Sequence, residues 1–108
     1  MLDKKTVVNL AKRYAEAVTV EFKPELIMLY GSFVYGNPHD DSDIDIAVVF
    51  NGVSDDWLKV SSRLWLLTLN ISTDIEPVLI DSTNDETDFF RHVQKYGEVI
   101  YQSQEVLV

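Results

Sequence analysis

Four aspartates, Asp40, Asp41, Asp43 and Asp45, fall within six positions and run straight into the apolar stretch IAVVF. Crowded carboxylates repel one another and resist burial, so this placement needs a reason. If residues 43–50 form a strand, Asp43, Asp45, Ala47 and Val49 share one face and Ile44, Ile46, Val48 and Phe50 the other. The two carboxylates then stand about 6.5–7 Å apart along the backbone, pointing the same way. At that spacing they can converge on a divalent ion, or on a pair of ions about 3.5–4 Å apart. Mg²⁺ takes hard oxygen ligands, typically one or two carboxylates together with phosphate oxygens, and would remove the like-charge problem. Asp40 and Asp41 read instead as solvated loop charge.

Gly31-Ser32 follows the apolar run ELIMLY directly. Glycine permits close approach of the backbone to a bound group. If Ser32 opens a helical turn, its hydroxyl and the free backbone N–H groups form an anion cradle. A Gly-Ser pair alone is usually a turn, and Asp-x-Asp alone is often a wet strand start. Together, between two apolar strands, they suit a nucleoside triphosphate: the cradle takes the outer phosphates and the metal the α-phosphate.

The elements that would position these groups follow from the pattern. Val7, Leu10, Ala11, Tyr14, Ala17 and Val18 keep helical spacing from Asp3, a candidate N-cap, to about residue 20. Phe22 and Pro24 close that helix. Residues 25–30 and 43–50 read as strands. NGVSDD reads as a turn and helix start, with Ser54 as cap and Asp55 and Asp56 at the positive end of the dipole. That helix runs to about Leu69 with Trp57, Val60, Leu64 and Leu67 inward. Residues 72–80 read as a third strand, in which Pro77 argues for an edge or a bulge. A final helix spans about Glu86 to Tyr96, with Phe89, Val93 and Tyr96 on one face and Gly97 as its C′ residue, and residues 98–102 form a fourth strand. The fold class expected is α+β with α/β-type layers: a small mixed sheet of about four strands flanked by helices, in one domain over residues 1–108.

Composition narrows the partners. Eighteen acidic against nine basic residues give a net charge of -9, which disfavours broad nucleic-acid binding and makes an anionic substrate depend on a cation or a local donor array. No apolar run approaches a membrane span, and the N-terminus lacks a signal-peptide pattern. Zero cysteines exclude a disulfide framework and thiolate metal sites, which fits a cytoplasmic protein. His39 reads as a loop residue and His92 as a helix-surface one, neither with a partner at metal-ligand spacing; Trp57 and Trp65 read as core or partner-interface anchors. Walker A and G-x-G-x-x-G patterns are absent.

Gly31-Ser32, ten intervening residues, then Asp43-Ile44-Asp45 resembles the signature of the minimal nucleotidyltransferases of the DNA polymerase β superfamily. Gly36 and Ser42 match its fuller form, and the order of elements extends the resemblance over nearly the whole chain. The resemblance implies the nucleotidyltransferase fold, Mg²⁺ (two ions) held by Asp43 and Asp45, and a third acid on a later strand that helps activate the attacking hydroxyl. That position falls in TDIEP, where the family's preference favours Asp74 and reach favours Glu76. Members often carry a basic residue right after Gly-Ser; here it is Phe33. The resemblance further implies transfer of a nucleoside monophosphate, AMP from ATP or the equivalent from another triphosphate, to a hydroxyl. Relatives of this size act as antitoxins with a small helical HEPN-type partner, some by AMPylating a tyrosine on it. HEPN ribonucleases carry Arg-x(4–6)-His, missing here, so the chain would be the transferase. The alternatives are an antitoxin that neutralises by binding alone, and a small-molecule transferase acting on an aminoglycoside-like cation.

Overall fold

The computed structural model describes residues 2–36, 38, 43–53, 56–85 and 87–104. The sequence-level readings of His39, Asp40, Asp41, Ser42, Ser54, Asp55 and Glu86 lie outside the described residues. The elements run α1 (Lys4–Glu21), β1 (Leu26–Tyr30), α2 (Ser32–Tyr35), β2 (Ile44–Phe50), α3 (Trp57–Leu66), a 3-10 turn (Leu67–Asn70), β3 (Ile75–Asp81), α4 (Phe89–Tyr96) and β4 (Glu98–Gln102). The strands form one mixed sheet in the order β3-β2-β1-β4. β1 pairs antiparallel with β2 and with β4, whereas β2 and β3 run parallel. The α+β architecture expected from the sequence, a mixed sheet of four strands flanked by helices, is the one observed.

Alternation along β2 divides the interior in two. Ile44, Ile46 and Val48 face α1 and α3, packing with Val7, Tyr14, Val18, Val60 and Leu64. Ala47 and Val49 face the other way, against Met28, Ile80 and Val93 of α4. Both faces of the strand are therefore covered, which is why its sequence becomes continuously apolar after Asp45. Tyr14 is fully buried, and its hydroxyl donates to the Leu64 carbonyl at 2.8 Å, tying α1 to α3. Burial pushes that phenol's pKa well up.

Asp3 caps α1 as expected, accepting from the Thr6 N–H at 2.8 Å. Pro77 lies on an edge strand, where its missing donor costs no ladder bond to a further strand. Three readings change. Trp57 is 48 % exposed rather than inward, because only Val60 and Leu64 of α3 point into the core. Tyr96 is likewise half exposed, leaving Val93 as the buried residue of α4. Gly97 closes α4 with extended backbone, φ -85°, so left-handedness is not its reason. A Cβ there would stand 2.6 Å from the Val93 carbonyl and 2.9 Å from the Leu29 carbonyl; the chain needs glycine for close approach.

Asp81, at the end of β3, gathers the Thr83 hydroxyl and N–H and the N–H groups of Val53 and Gly52. These hold its carboxyl below the ordinary value, Thr83 contributing most. A depressed carboxylate pKa adds stability above the unfolded-state value and loses it as pH falls through the folded one. The melting difference between wild type and Asp81→Asn should therefore be largest near neutrality and vanish below about pH 3. A difference that stays constant from pH 7 to pH 3 would show that the charge of Asp81 contributes nothing.

Candidate active site

The site is assembled where β1 ends and β2 begins. Gly31 takes φ +84° and ψ -158°, a conformation open essentially only to glycine, and turns the chain from β1 into α2. Val34 and Tyr35 both donate to the Gly31 carbonyl at 3.0 Å, so Ser32 does open a helical turn. The N–H groups of Ser32 and Phe33 have no acceptor within that turn and are available to an anion. Phe33, standing where relatives often have a basic side chain, is buried in the core against α1 and β2. It anchors α2 to the domain.

Tyr30 pairs with Asp45 across β1 and β2, and Asp45 pairs with Glu76 across β2 and β3. This register sets Asp45 and Glu76 side by side on the face of Ala47 and Val49. Asp43 precedes the first residue of β2 and completes a group of three carboxylates. Burial, then the charge of Asp43, raises the Asp45 pKa above the ordinary range. Glu76 is raised as well, first by a side-chain hydrogen bond with Asp43, then by burial and by the charges of Asp43 and Asp45. Tyr30 beneath them is pushed well up by burial, with Asp45, Glu76 and Tyr35 adding to it.

Asp74 has a different task. It lies in the turn before β3, its N–H donating to the Ser72 hydroxyl at 3.1 Å. Its carbonyl accepts from Ile44 at 2.8 Å and so fixes where β2 begins. Of the two acids kept open by the sequence, only Glu76 stands with Asp43 and Asp45. Among the described residues, no three acidic, imidazole or thiol side chains close around one point as metal ligands do. The three carboxylates are gathered on one edge and must rotate to converge on an ion.

Gly31 is also the wall of this site: a Cβ on it would meet Asp45 Oδ2 at 2.1 Å. The carboxylate that leads the Asp-x-Asp pair into the sheet thus lies directly against the backbone that carries the anion cradle. A family model described as "Polymerase beta, Nucleotidyltransferase" matches residues 11–106. The chain belongs to this nucleotidyltransferase family. Search of curated proteins by sequence gives no match. Among solved structures, the family fold recurs in a Sulfolobus solfataricus protein provisionally described as a nucleotidyltransferase. It shares 24% identity and a TM-score of 0.68 over 97% of this chain and 88% of that one. A toxin–antitoxin structure with AMP-PNP matches at 24% identity and TM-score 0.61, covering 96% of this chain and 77% of that chain. A tri-AMPylated Shewanella oneidensis HEPN toxin in complex with its MNT antitoxin gives 23%, 0.62, 94% and 75%. At these identities the likeness is one of fold.

One contact beside this site of the nucleotidyltransferase-family chain was not foreseen from the sequence. His92 of α4 is on the helix surface as expected, but its Nε2 lies 3.2 Å from the Tyr35 hydroxyl of α2. The aromatic residue at Tyr35, four positions after Gly31, was the available signal. No helix among the described residues is long and apolar enough to cross a membrane.

Proposed function

We propose that this chain is a metal-dependent nucleotidyltransferase that moves AMP from ATP to a hydroxyl of a HEPN-type helical partner, as the antitoxin of the pair. The observation that carries the reading is the grouping of Asp43, Asp45 and Glu76 at the start of β2, with Asp45 directly against the Gly31 turn. Three carboxylates present only hard oxygen donors, and the raised pKa values of Asp45 and Glu76 mark negative charge that a cation would neutralise. The set therefore fits Mg²⁺, with Asp43, Asp45 and Glu76 as its holders. Bound there, the metal would supply charge neutralisation at the phosphate being transferred.

The chain's own groups do the rest. Gly31, Ser32 and the N–H of Phe33 orient the outer phosphates. The acceptor hydroxyl oxygen forms a bond to the α-phosphorus as the bond to the bridging oxygen of the β-phosphate breaks, releasing pyrophosphate. Glu76 takes the hydroxyl proton, being the acid that the β2–β3 register sets beside Asp45. Asp74 positions the start of β2 through its carbonyl.

Support for a protein acceptor comes from the surface and from fold relatives. Trp57, Leu58, Trp65, Leu66 and Leu69 are between 46% and 72% exposed, an apolar stripe along α3 and the turn after it of the kind that marks protein interfaces. Of the two readings the sequence left for Trp57 and Trp65, core or partner interface, their exposure favours the interface. Fold relatives include an antitoxin bound to a tri-AMPylated HEPN toxin and a toxin–antitoxin structure with AMP-PNP.

The test is transfer from ATP labelled at the α or the γ phosphate, with Mg²⁺, in the presence and absence of the co-expressed helical partner. Label retained on the partner from α-labelled ATP alone supports AMP transfer; γ-label would mean a kinase. No transfer, with a tight complex that survives Asp43→Ala/Asp45→Ala, would replace the enzyme by a binding-only antitoxin. In the same assay Glu76→Gln should lower the transfer rate by about 10²–10⁴-fold, whereas Asp74→Asn, which keeps the carbonyl to Ile44, should stay within about tenfold of wild type. Equal losses would return Asp74 to the catalytic set.

A further inference from the structure

We propose that Tyr35, His92 and Tyr96 form a nucleobase platform, on which the base of the triphosphate stacks; the proposal rests on the nucleotidyltransferase reading above. The three rings come from two elements 57 residues apart, Tyr35 from α2 and His92 and Tyr96 from α4. His92 and Tyr96 are four residues apart and share one face of α4, their ring centroids 5.0 Å apart. Tyr35 meets both, edge-on, at 6.2 Å. The contact between the Tyr35 hydroxyl and His92 Nε2 locks the group and presents a hydrogen-bonding edge beside the rings.

Three features distinguish this cluster from core packing. First, it is on the surface: Tyr35 is 43% and Tyr96 49% exposed, while Val93 of the same helix fills the core. Second, it adjoins the carboxylates. Tyr35 ends the short helix that Gly31 begins, Asp45 lies against Gly31, and Asp45 pairs with Tyr30 and Glu76 across the sheet. Third, the Lys95 ammonium stands 5.2 Å from the Tyr96 ring centroid, placing a cation beside the rings in a chain of net charge -9. An amphipathic ring surface with a fixed polar edge and a nearby cation, one short helix from an anion cradle, suits a ligand made of a flat heteroaromatic base and phosphates. Stacking tolerates any base, so the class assigned is a nucleoside triphosphate with its base on these rings.

The experiment compares equilibrium binding of ATP and of inorganic tripolyphosphate, each with Mg²⁺, to the full chain and to Tyr96→Ala and Tyr96→Phe. Wild type should bind ATP more tightly than tripolyphosphate. Tyr96→Ala should weaken ATP binding by about tenfold, on the scale of one base–aromatic stack, and leave tripolyphosphate binding unchanged, which also shows that the variant is folded. Tyr96→Phe keeps the ring and should bind ATP as wild type does. Equal wild-type affinities for the two ligands, or an Ala variant that binds ATP normally or loses both ligands together, would overturn the platform while leaving the phosphate site standing. Failure of wild type to bind either ligand would overturn the nucleotide reading and the platform with it.

Discussion

Asp45→Asn is expected to lower nucleotidyl transfer about 10²–10³-fold while raising the melting temperature of the metal-free protein. The two effects have one cause. Asp45 is partly buried, faces Asp43 and Glu76, and carries a pKa raised by burial and by the Asp43 charge. Near neutrality its charge is therefore an electrostatic cost to the folded chain. Replacing it with a neutral isostere removes that cost, so the melting temperature should rise rather than fall. The same substitution removes an oxygen anion from the place where a cation would have to sit, and single groups that stabilise developing charge are worth about 10²–10³ in rate. Melting curves in chelator and in Mg²⁺ separate the contributions. Wild type should gain stability from Mg²⁺, by mass action on the folded state, and Asp45→Asn should gain far less. A variant that melts below wild type in chelator would show that Asp45 is structural rather than a charge held for a ligand.

Gly31→Ala should cost both stability and activity, through two separable effects. The backbone there is in a region that L side chains avoid, at about 1–3 kcal/mol. The new Cβ would also stand 2.1 Å from Asp45 Oδ2 and 3.0 Å from its Cγ, so the carboxylate must swing out of place. Displacing a positioned group by about 1 Å can cost 10²-fold in rate, and the expected loss is at least that. Gly36→Ala is the control: φ there is +89°, yet nothing lies within 4 Å of the added Cβ. It should lower the melting point through backbone strain alone and leave Asp45 where it is. Equal activity losses in the two variants would mean that the Gly31–Asp45 contact has no special role.

How much of this was legible follows from the range of each signal. The helix of residues 4–21, the strand that begins with Asp-x-Asp and the turn after Gly31 are local patterns, set by alternation, caps and the conformational freedom of one glycine. They held because neighbouring residues alone determine them. The inward reading of Trp57 failed for the opposite reason. Helical spacing names a face, but the sheet offers α3 only enough surface to cover Val60 and Leu64, and the tryptophans remain half exposed. The choice between Asp74 and Glu76 was equally out of reach, since strand periodicity puts both on one side. What separates them is the point where β3 starts and its parallel register with β2, which sets Glu76 beside Asp45 and spends Asp74 on the preceding turn.

The sequence by itself determined that a glycine-serine turn precedes two same-facing aspartates in a small α+β domain, because spacing of two and a single permissive residue are properties of the chain. Only the tertiary structure decided that Glu76 stands beside Asp45, that Asp45 lies against Gly31, and that Tyr35 meets His92 and Tyr96. Those are contacts across strand registers and between helices 57 residues apart, set by packing energies that no local pattern encodes.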